Sequence, residues 1–472
     1  VVATSRTFDM KQLGADAKGI KPCTKLINQT IEKAASEGGG TIYFPAGTYL
    51  TATIHMKSNI TLHLESGAIV RFSDRFEDYL PFVTARWEGT VMQTLSPLIY
   101  AHSADNLTIT GRGTLDGNGL KWWLWEFETR KVIKENGGKL PSLDKLQQMW
   151  VDANKDLEIS DYYKPSLERK MFRPPFIQFY ECTNILIENV KIINSPFWTV
   201  NPAFCDNVTI HGVTINNPSS NPKGPNTDGI NPSSCRNVRI SDCFISVGDD
   251  CITIKSGRDA DGRKYGKACE NITITNCIML SGHGGVVIGS EMSGGVKRIA
   301  ISNCVFDGTN AGIRLKASRG RGGVVEDIRV DNIVMKNIQG DLFYDRLSKV
   351  EPVSERTPIF RNIHLSNVTG NDIKRIGYIK GIEEMPISEL SFSNMNIVAG
   401  KGFQAETATD IRFNNVSFTV EEGPSLNIRQ CKDIFLNDVR TKQPIAGQPV
   451  VDLEAIENLS IIHCDSTQIV RK

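Results

Sequence analysis

One short pattern recurs along this chain and restricts its fold more than any other feature. A polar residue and an Asn or Asp are followed by alternating apolar residues, then by another Asn or Asp with an apolar residue or Cys. The copies read Asn106-Leu-Thr-Ile, Asn184-Ile-Leu-Ile, Asn207-Val-Thr-Ile, Asn237-Val-Arg-Ile and Asn271-Ile-Thr-Ile. They continue as Arg298-Ile-Ala-Ile, Asp327-Ile-Arg-Val, Asn362-Ile-His-Leu, Asp410-Ile-Arg-Phe, Asp433-Ile-Phe-Leu and Asn458-Leu-Ser-Ile, with a weaker copy at Glu389-Leu-Ser-Phe. From Asn184 onward, successive copies are mostly 21 to 35 residues apart. The alternation is the period of a strand. Many copies carry a second short strand, such as Phe244-Ile245-Ser246-Val247 or Cys304-Val305-Phe306. Such spacing leaves no room for crossover helices. It predicts an all-β solenoid, a parallel β-helix whose coils stack at ~4.8 Å. A propeller would need about four strands per ~40–45 residues and a blade signature, which is not found.

Length alone, 472 residues, would suggest two or three domains, but solenoids run longer than the average domain. A single β-helix over 1–472 is expected, with an N-terminal cap and first coils in 1–95. In the cap, Pro22, the face Ile27, Ile31, Ala34 and Ala35, and the run Gly38-Gly39-Gly40 are helix start and stop signals. That helix is expected to cover the open end of the solenoid, where core and strand edges would otherwise be exposed. The 11 cysteines are an odd count without CxxC spacing. Most flank the recurring Asn or follow the first strand, so they read as stacked thiols inside the coil rather than disulfides or a zinc site. Asn207-Val-Thr, Asn271-Ile-Thr and Asn458-Leu-Ser match the glycosylation sequon only because the repeat has that form. Between about Gly117 and Arg173 the alternation stops. This insertion, 117–173, holds Trp122, Trp123, Trp125 and Trp150, four of six tryptophans, and helix-like runs such as Leu143–Ala153. It reads either as a flap with its own small core or as an aromatic wall for a sugar.

Four polar groups fall about one coil apart: Asn226-Thr227-Asp228-Gly229, Gly248-Asp249-Asp250-Cys251, Gly282-His283-Gly284-Gly285 and Arg314-Leu315-Lys316. The steps are 21 residues from Asp228 to Asp249, 33 from Asp250 to His283 and 31 from His283 to Arg314. Equivalent positions in a solenoid stack, so these groups are expected to form one column on one face. Adjacent carboxylates on a strand would point to opposite faces; Gly248 would let both Asp249 and Asp250 face outward. With Asp228 they make a cluster in which like charge resists full ionisation, so that one acid keeps its proton. A protonated acid beside ionised carboxylates is what glycoside hydrolysis requires. Arg314 and Lys316 alternate on a strand and share a face, suited to an anionic sugar.

These motifs, in this order, resemble those of glycoside hydrolase family 28, the polygalacturonases. Leu315 stands where Ile is commoner. The resemblance extends from Phe8 through Gly38-Gly39-Gly40-Thr-Ile-Tyr-Phe-Pro-Ala-Gly-Thr-Tyr and the coils. It implies a right-handed parallel β-helix and an inverting hydrolysis of galacturonosidic bonds without metal or other cofactor. Within it, Asp249 is implied as general acid, Asp228 and Asp250 as bases on water, and His283 as support for Asp249. Arg314, Lys316 and Asn226 are implied as substrate contacts. The segments Lys255-Ser-Gly-Arg258-Asp-Ala-Asp-Gly262, Gly289-Ser-Glu-Met-Ser-Gly-Gly295 and Arg173-Pro-Pro-Phe-Ile-Gln178 resemble bacterial exo-acting members. They imply Lys255 and Arg258 as further substrate contacts, with the insertion closing one end of the groove.

The rivals differ in chemistry. A lyase on the same scaffold would use Asp249 and Asp250 as calcium ligands, and a binding β-helix would have no use for the acids. Related hydrolases attack rhamnogalacturonan or xylogalacturonan; Arg314 and Lys316 argue for a galacturonate next to the cut and do not say what lies beyond it. A net charge of +1 excludes a bulk electrostatic partner such as nucleic acid, and no run approaches the ~20 apolar residues of a membrane helix. The expected partner is a pectic polysaccharide or oligogalacturonide, bound by a monomer. No signal peptide is visible at Val1–Thr4, and an extracellular polymer as substrate implies a secreted or periplasmic protein.

Overall fold

The computed structural model describes residues 6–138, 140–157, 173–348 and 357–472. The chain forms a right-handed parallel β-helix, with compact units that run through Asp249 and from Asp250 to Lys472.

In the first unit, three strand ladders repeat once per coil. One climbs from Gly40–Phe44 through Ile60–Leu64, Asp105–Gly111, Thr183–Glu188 and Asp206–His211 to Arg236–Ser241, each parallel to the last. A second runs from Gly47–Thr51 through Ala68–Phe72, Thr114–Asp116, Lys191–Ile193 and Thr214–Asn216 to Phe244–Ser246. A third joins Ile54–His55, Ile99–His102 and Ile177–Tyr180, then continues as single bridges through Val200 and Ile230. The expected cap is the helix Thr24–Ser36, which buries Ile27, Ile31 and Ala34 against the first strands. Gly39 follows it at φ +124°, and any Cβ there would lie 2.5 Å from the Asn59 carbonyl.

The second unit repeats the scheme. The inward positions Ile272, Ile299, Ile328, Ile363, Leu390 and Ile411 pair in register from coil to coil and are buried. Further along, Phe392 packs on Phe403 and Phe413 with ring centroids 4.7 and 5.1 Å apart.

The recurring Asn has a conformational reason. All twelve repeat positions, from Asn106 to Asn458, sit at φ between +49° and +59°. Each coil turns there through the left-handed region, which Asn and Asp tolerate best among residues with a Cβ. The amides then link coils: Asn106 Nδ2 donates to Asn59 Oδ1 at 2.9 Å, and Asn207 Nδ2 to Asn184 Oδ1 at 2.6 Å. The thiols follow the same register. Cys182, Cys205 and Cys235 are buried one coil apart, and each donates to the carbonyl two residues earlier at 3.3 to 3.6 Å.

Among the described residues, two helices interrupt the coils within the expected insertion, Leu120–Glu135 and Lys145–Ala153. The second starts later than Leu143 because Asp144 caps it, exchanging bonds with Gln147. Trp122, Trp123 and Trp150 are buried, with Trp123 Nε1 donating to the Ser195 carbonyl at 2.9 Å. These three indoles therefore pack a core and offer no open face to a sugar. Residues 139 and 158–172 of the insertion lie outside the described residues.

Candidate active site

The first unit holds Asp228 in a tightly tied segment. Thr227 is buried, donates to the Gly224 carbonyl at 2.8 Å, and accepts from the Gly248 amide at 3.2 Å. A Cβ on Gly248 would sit 2.2 Å from the Gly224 carbonyl oxygen, so close approach requires glycine there. Asp228 is 3% exposed, and its Oδ2 accepts from Asn231 Nδ2 at 3.0 Å. Asp249, two residues past Val247, is half-buried.

Arg173 anchors this segment from below. Its guanidinium donates to the carbonyls of Pro196 (2.8 Å) and Pro225 (2.5 Å) and to Asn226 Oδ1 (2.7 Å). Glu126, from the inserted helix, lies 3.6 Å from Arg173 Nε, and both side chains are almost fully buried. Burial draws the Arg173 pKa down to about 10, with Glu126 opposing the fall, so the group stays charged at neutral pH. Arg130 of the same helix donates to Glu126 at 2.6 Å and to Asn226 Oδ1 at 3.1 Å. The Asn226 amide oxygen is thus taken by two arginines.

In the second unit, Asp250 is 1% exposed, and Lys316 Nζ donates to its Oδ2 at 3.2 Å. The coil above is hydrogen-bonded directly to it: the Cys251 and Ile252 amides donate to the Gly284 and Gly285 carbonyls at 2.8 and 3.1 Å. Ligand atoms of Asp250 and His283 lie within 4.8 Å of one another. Gly284 leaves the space between them, since a Cβ there would approach Asp250 Oδ1 to 3.5 Å and Val287 Cγ2 to 2.4 Å. Lys316 thus places an ammonium on one of the two carboxylate oxygens of Asp250.

The register corrects the single column expected from spacing. Arg314 pairs with Val287 and Lys316 with Gly289, while the carbonyl of His283 accepts from the Ala311 amide. The cations therefore lie further along their strand than His283. The long Lys316 side chain reaches back to Asp250, and the Arg314 guanidinium lies 5.3 Å from the centroid of the Tyr344 ring.

Lys255 and Arg258 meet on a residue that motif spacing did not single out. Lys255 is 4% exposed, and its Nζ donates to Glu291 Oε2 at 2.6 Å and to the Gly289 carbonyl at 3.3 Å. Arg258 Nη1 stands 3.9 Å from Glu291 Oε1, and Arg321 bonds Asp259 at 2.8 Å. Burial would raise the Glu291 carboxyl, but Lys255, Arg258 and Arg321 outweigh it and hold it far below the usual carboxylate range. Lys255 is thereby committed to its own protein. Glu291 lies within the Gly289–Gly295 motif, so its position was visible in the sequence; its role as counterion was not.

The site is a set of acids held by cations and amides on a parallel β-helix, a protein of the solenoid class. The model of glycosyl hydrolases family 28 matches residues 163–417, and one described as rhamnogalacturonase A/epimerase, pectate lyase-like, matches residues 7–122. A probable polygalacturonase of Vitis vinifera is 31% identical over 81% of this chain and 72% of its own. An endo-polygalacturonase of Pectobacterium carotovorum subsp. carotovorum is 27% identical, covering 86% of this chain and 92% of that one. The crystal structure of a hyperthermoactive exopolygalacturonase from Thermotoga maritima superposes with a TM-score of 0.76 at 34% identity, covering 88% of this chain and 91% of that one. The chain belongs to glycosyl hydrolases family 28 and is a glycoside hydrolase.

Proposed function

We propose that this enzyme hydrolyses α-1,4-galacturonosidic bonds in polygalacturonate and its oligomers, releasing galacturonic acid from a chain end with inversion. The observation that carries the reading is the environment of the acids: Asp228 is tied to Asn231, Asp250 is tied to Lys316, and Asp249, next to Asp250 in the sequence, is half-buried. Asp249 is the general acid, protonating the leaving glycosidic oxygen. Asp228 and Asp250 are the bases that activate water on the opposite face, with His283 supporting the protonation of Asp249. Inversion needs acid and base carboxyls ~6.5–9.5 Å apart, so that water fits between them. Arg314 and Lys316 bind the uronate beside the cut, and Arg258 is a further contact held in place by Glu291. Lys255 acts through Glu291 rather than on substrate.

Exo action is supported by the inserted helix. Arg130 donates to Asn226, two residues from Asp228, and Glu126 pairs with Arg173, which supports reading the helix as a wall beside the acids. The 34% identical Thermotoga maritima exopolygalacturonase agrees with that reading. Incubation with defined galacturonate oligomers tests it, with product size and anomeric configuration followed by NMR. Monomer from the earliest time points, first seen as the inverted anomer, is expected. An early ladder of intermediate oligomers would sink the exo reading, and a retained anomer the inverting one. Asp249→Asn is expected to lower kcat by about 10²–10⁴-fold with little change in KM.

A further inference from the structure

The antiparallel hairpin of Val83–Trp87 and Thr90–Thr94 stands apart from the coil sheets of the first unit, and nothing in the chemistry above uses it. Its turn is short: Trp87 pairs with Thr90, so Glu88 and Gly89 alone reverse the chain. Both take positive φ, +41° and +86°. A two-residue turn of this kind matches the twist of a hairpin, and its first position favours Asn, Asp or Gly. Glutamate carries a Cβ and lacks the short side chain that lets Asn bond its own backbone, so it is strained there. Strain of this kind persists only where the surroundings hold it, and such positions cluster at functional sites.

The surroundings here tie the turn to Asp228 from two directions. On one side, the Arg86 amide donates to Gln178 Oε1 at 2.9 Å, and Gln178 Nε2 donates to Asn201 Oδ1 at 2.6 Å. Asn201 Nδ2 in turn donates to the carbonyl of Asn231, the residue that binds Asp228. The buried Arg86 guanidinium donates to Ser234 Oγ at 2.7 Å, in the segment that follows Asp228. On the other side, Trp87 Nε1 donates to the Arg173 carbonyl at 3.0 Å, and the Trp87 ring stacks on Phe197 at 5.2 Å. Glu88 is left half-buried between these anchors. Its carboxylate lies in the field of Arg173: burial lowers the Arg173 pKa, and Glu126, Glu88 and Asp249 oppose that fall. The hairpin thus sets a further carboxylate beside the site, approaching over the coils that precede Asp228.

A carboxylate suits such a wall poorly if its only task is to hold an anionic polymer, because it repels uronate groups. It does accept strongly from a hydroxyl. In an α-1,4 chain, every interior unit has its O4 in a glycosidic bond. Only the unit at the non-reducing end carries a free 4-hydroxyl. A carboxylate at this place therefore separates a chain end from a chain that continues.

We propose that Glu88 is a specificity-determining residue that accepts a hydrogen bond from the terminal 4-hydroxyl of the substrate and repels a chain that runs on past it. The assignment rests on the exo reading above and gives that reading a residue and an end, the non-reducing one. The test compares kcat/KM on galacturonate trimers with kcat/KM on trimers whose terminal 4-hydroxyl is replaced by hydrogen. Glu88→Asn is expected to lower the ratio of the two about 10- to 100-fold relative to the wild type, the worth of a hydrogen bond to a charged group. The loss should fall chiefly on the hydroxylated trimer. The same variant should raise Tm, because Asn suits the turn. Glu88→Gln keeps the length and the strain, so it should lower the ratio in part and leave Tm near the wild-type value. A residue that only shapes the hairpin would behave differently, with equal losses on both trimers and a lowered Tm. That outcome, or a ratio in Glu88→Asn equal to that of the wild type, would overturn the assignment and leave the proposed function standing. A wild type that releases no monomer from the hydroxylated trimer would overturn the proposed function and the role of Glu88 with it.

Discussion

Arg173 shows how much of the site depends on one side chain that does no chemistry. Its planar fork reaches three oxygens at once, two of them carbonyls and one the Asn226 amide. Lysine offers a point charge and cannot span them. Arg173→Lys should therefore loosen the Asn226–Asp228 segment, lowering kcat about 10- to 100-fold with a smaller change in KM. Glu126→Gln leaves the buried guanidinium without its nearby carboxylate and should mainly reduce stability, by about 3 kcal/mol. Steady-state kinetics and urea unfolding on both variants separate the two effects; equal kinetic and stability losses in both would refute the division. The Arg173-Pro-Pro segment was legible as a motif, but its task was not. Periodicity says which residues face a core. It does not say which loop carbonyls converge on a guanidinium, nor that Glu291 gathers Lys255 and Arg258.

At the scale of the coil, far more was legible. The strand alternation and the stacked thiols follow from a period of two imposed once per turn, and the cap helix from its own start and stop signals. The left-handed position explains why Asn or Asp recurs there, and it also marks the two departures of charge and size, Arg298 and Glu389 at φ +57°. Arg298 is compensated by bonds to Asn271 Oδ1 at 2.7 Å and Glu270 Oε2 at 2.6 Å. Glu389 is exposed and bears a Cβ strain of order 1 kcal/mol that Asn would partly relieve. Glu389→Asn should raise Tm by about 1–3 °C in calorimetry, with activity unchanged; a lowered Tm would show that the position is not limited by backbone strain. The insertion was less legible, because helices that interrupt a solenoid obey their own caps and cores. Burial, not sugar contact, accounts for three of its tryptophans.

For the molecule as a whole, the most consequential buried group is one that periodicity presents as an ordinary core position. Asp345 alternates with Phe343 and Leu347, pairs in register with Leu315 and Ile379, and is fully buried. Neither of its carboxyl oxygens has a hydrogen-bond partner. Burial alone raises its pKa well above the ordinary 3.8, so the folded state keeps the proton that the unfolded chain releases. The sign follows from that difference. Below about pH 3.8 both states are protonated, and Asp345 has no pH-dependent effect. As pH rises the unfolded state alone ionises, and stability falls by about 1.4 kcal/mol per unit until the folded pKa is reached. This loss runs opposite to the stabilisation that Glu291 contributes, which is present above the ordinary carboxylate range and disappears only in strong acid. Asp345→Asn removes the first effect and leaves the second. Its unfolding free energy, followed by urea titration upward from pH 4, should gain on the wild type as pH rises until the folded Asp345 ionises, the difference being smallest at pH 4. Curves that stay parallel would mean that Asp345 is ionised in the folded protein and held by a cation. The expected divergence would make a single buried acid a source of greater stability in acidic conditions, independent of the acids proposed to carry out its chemistry.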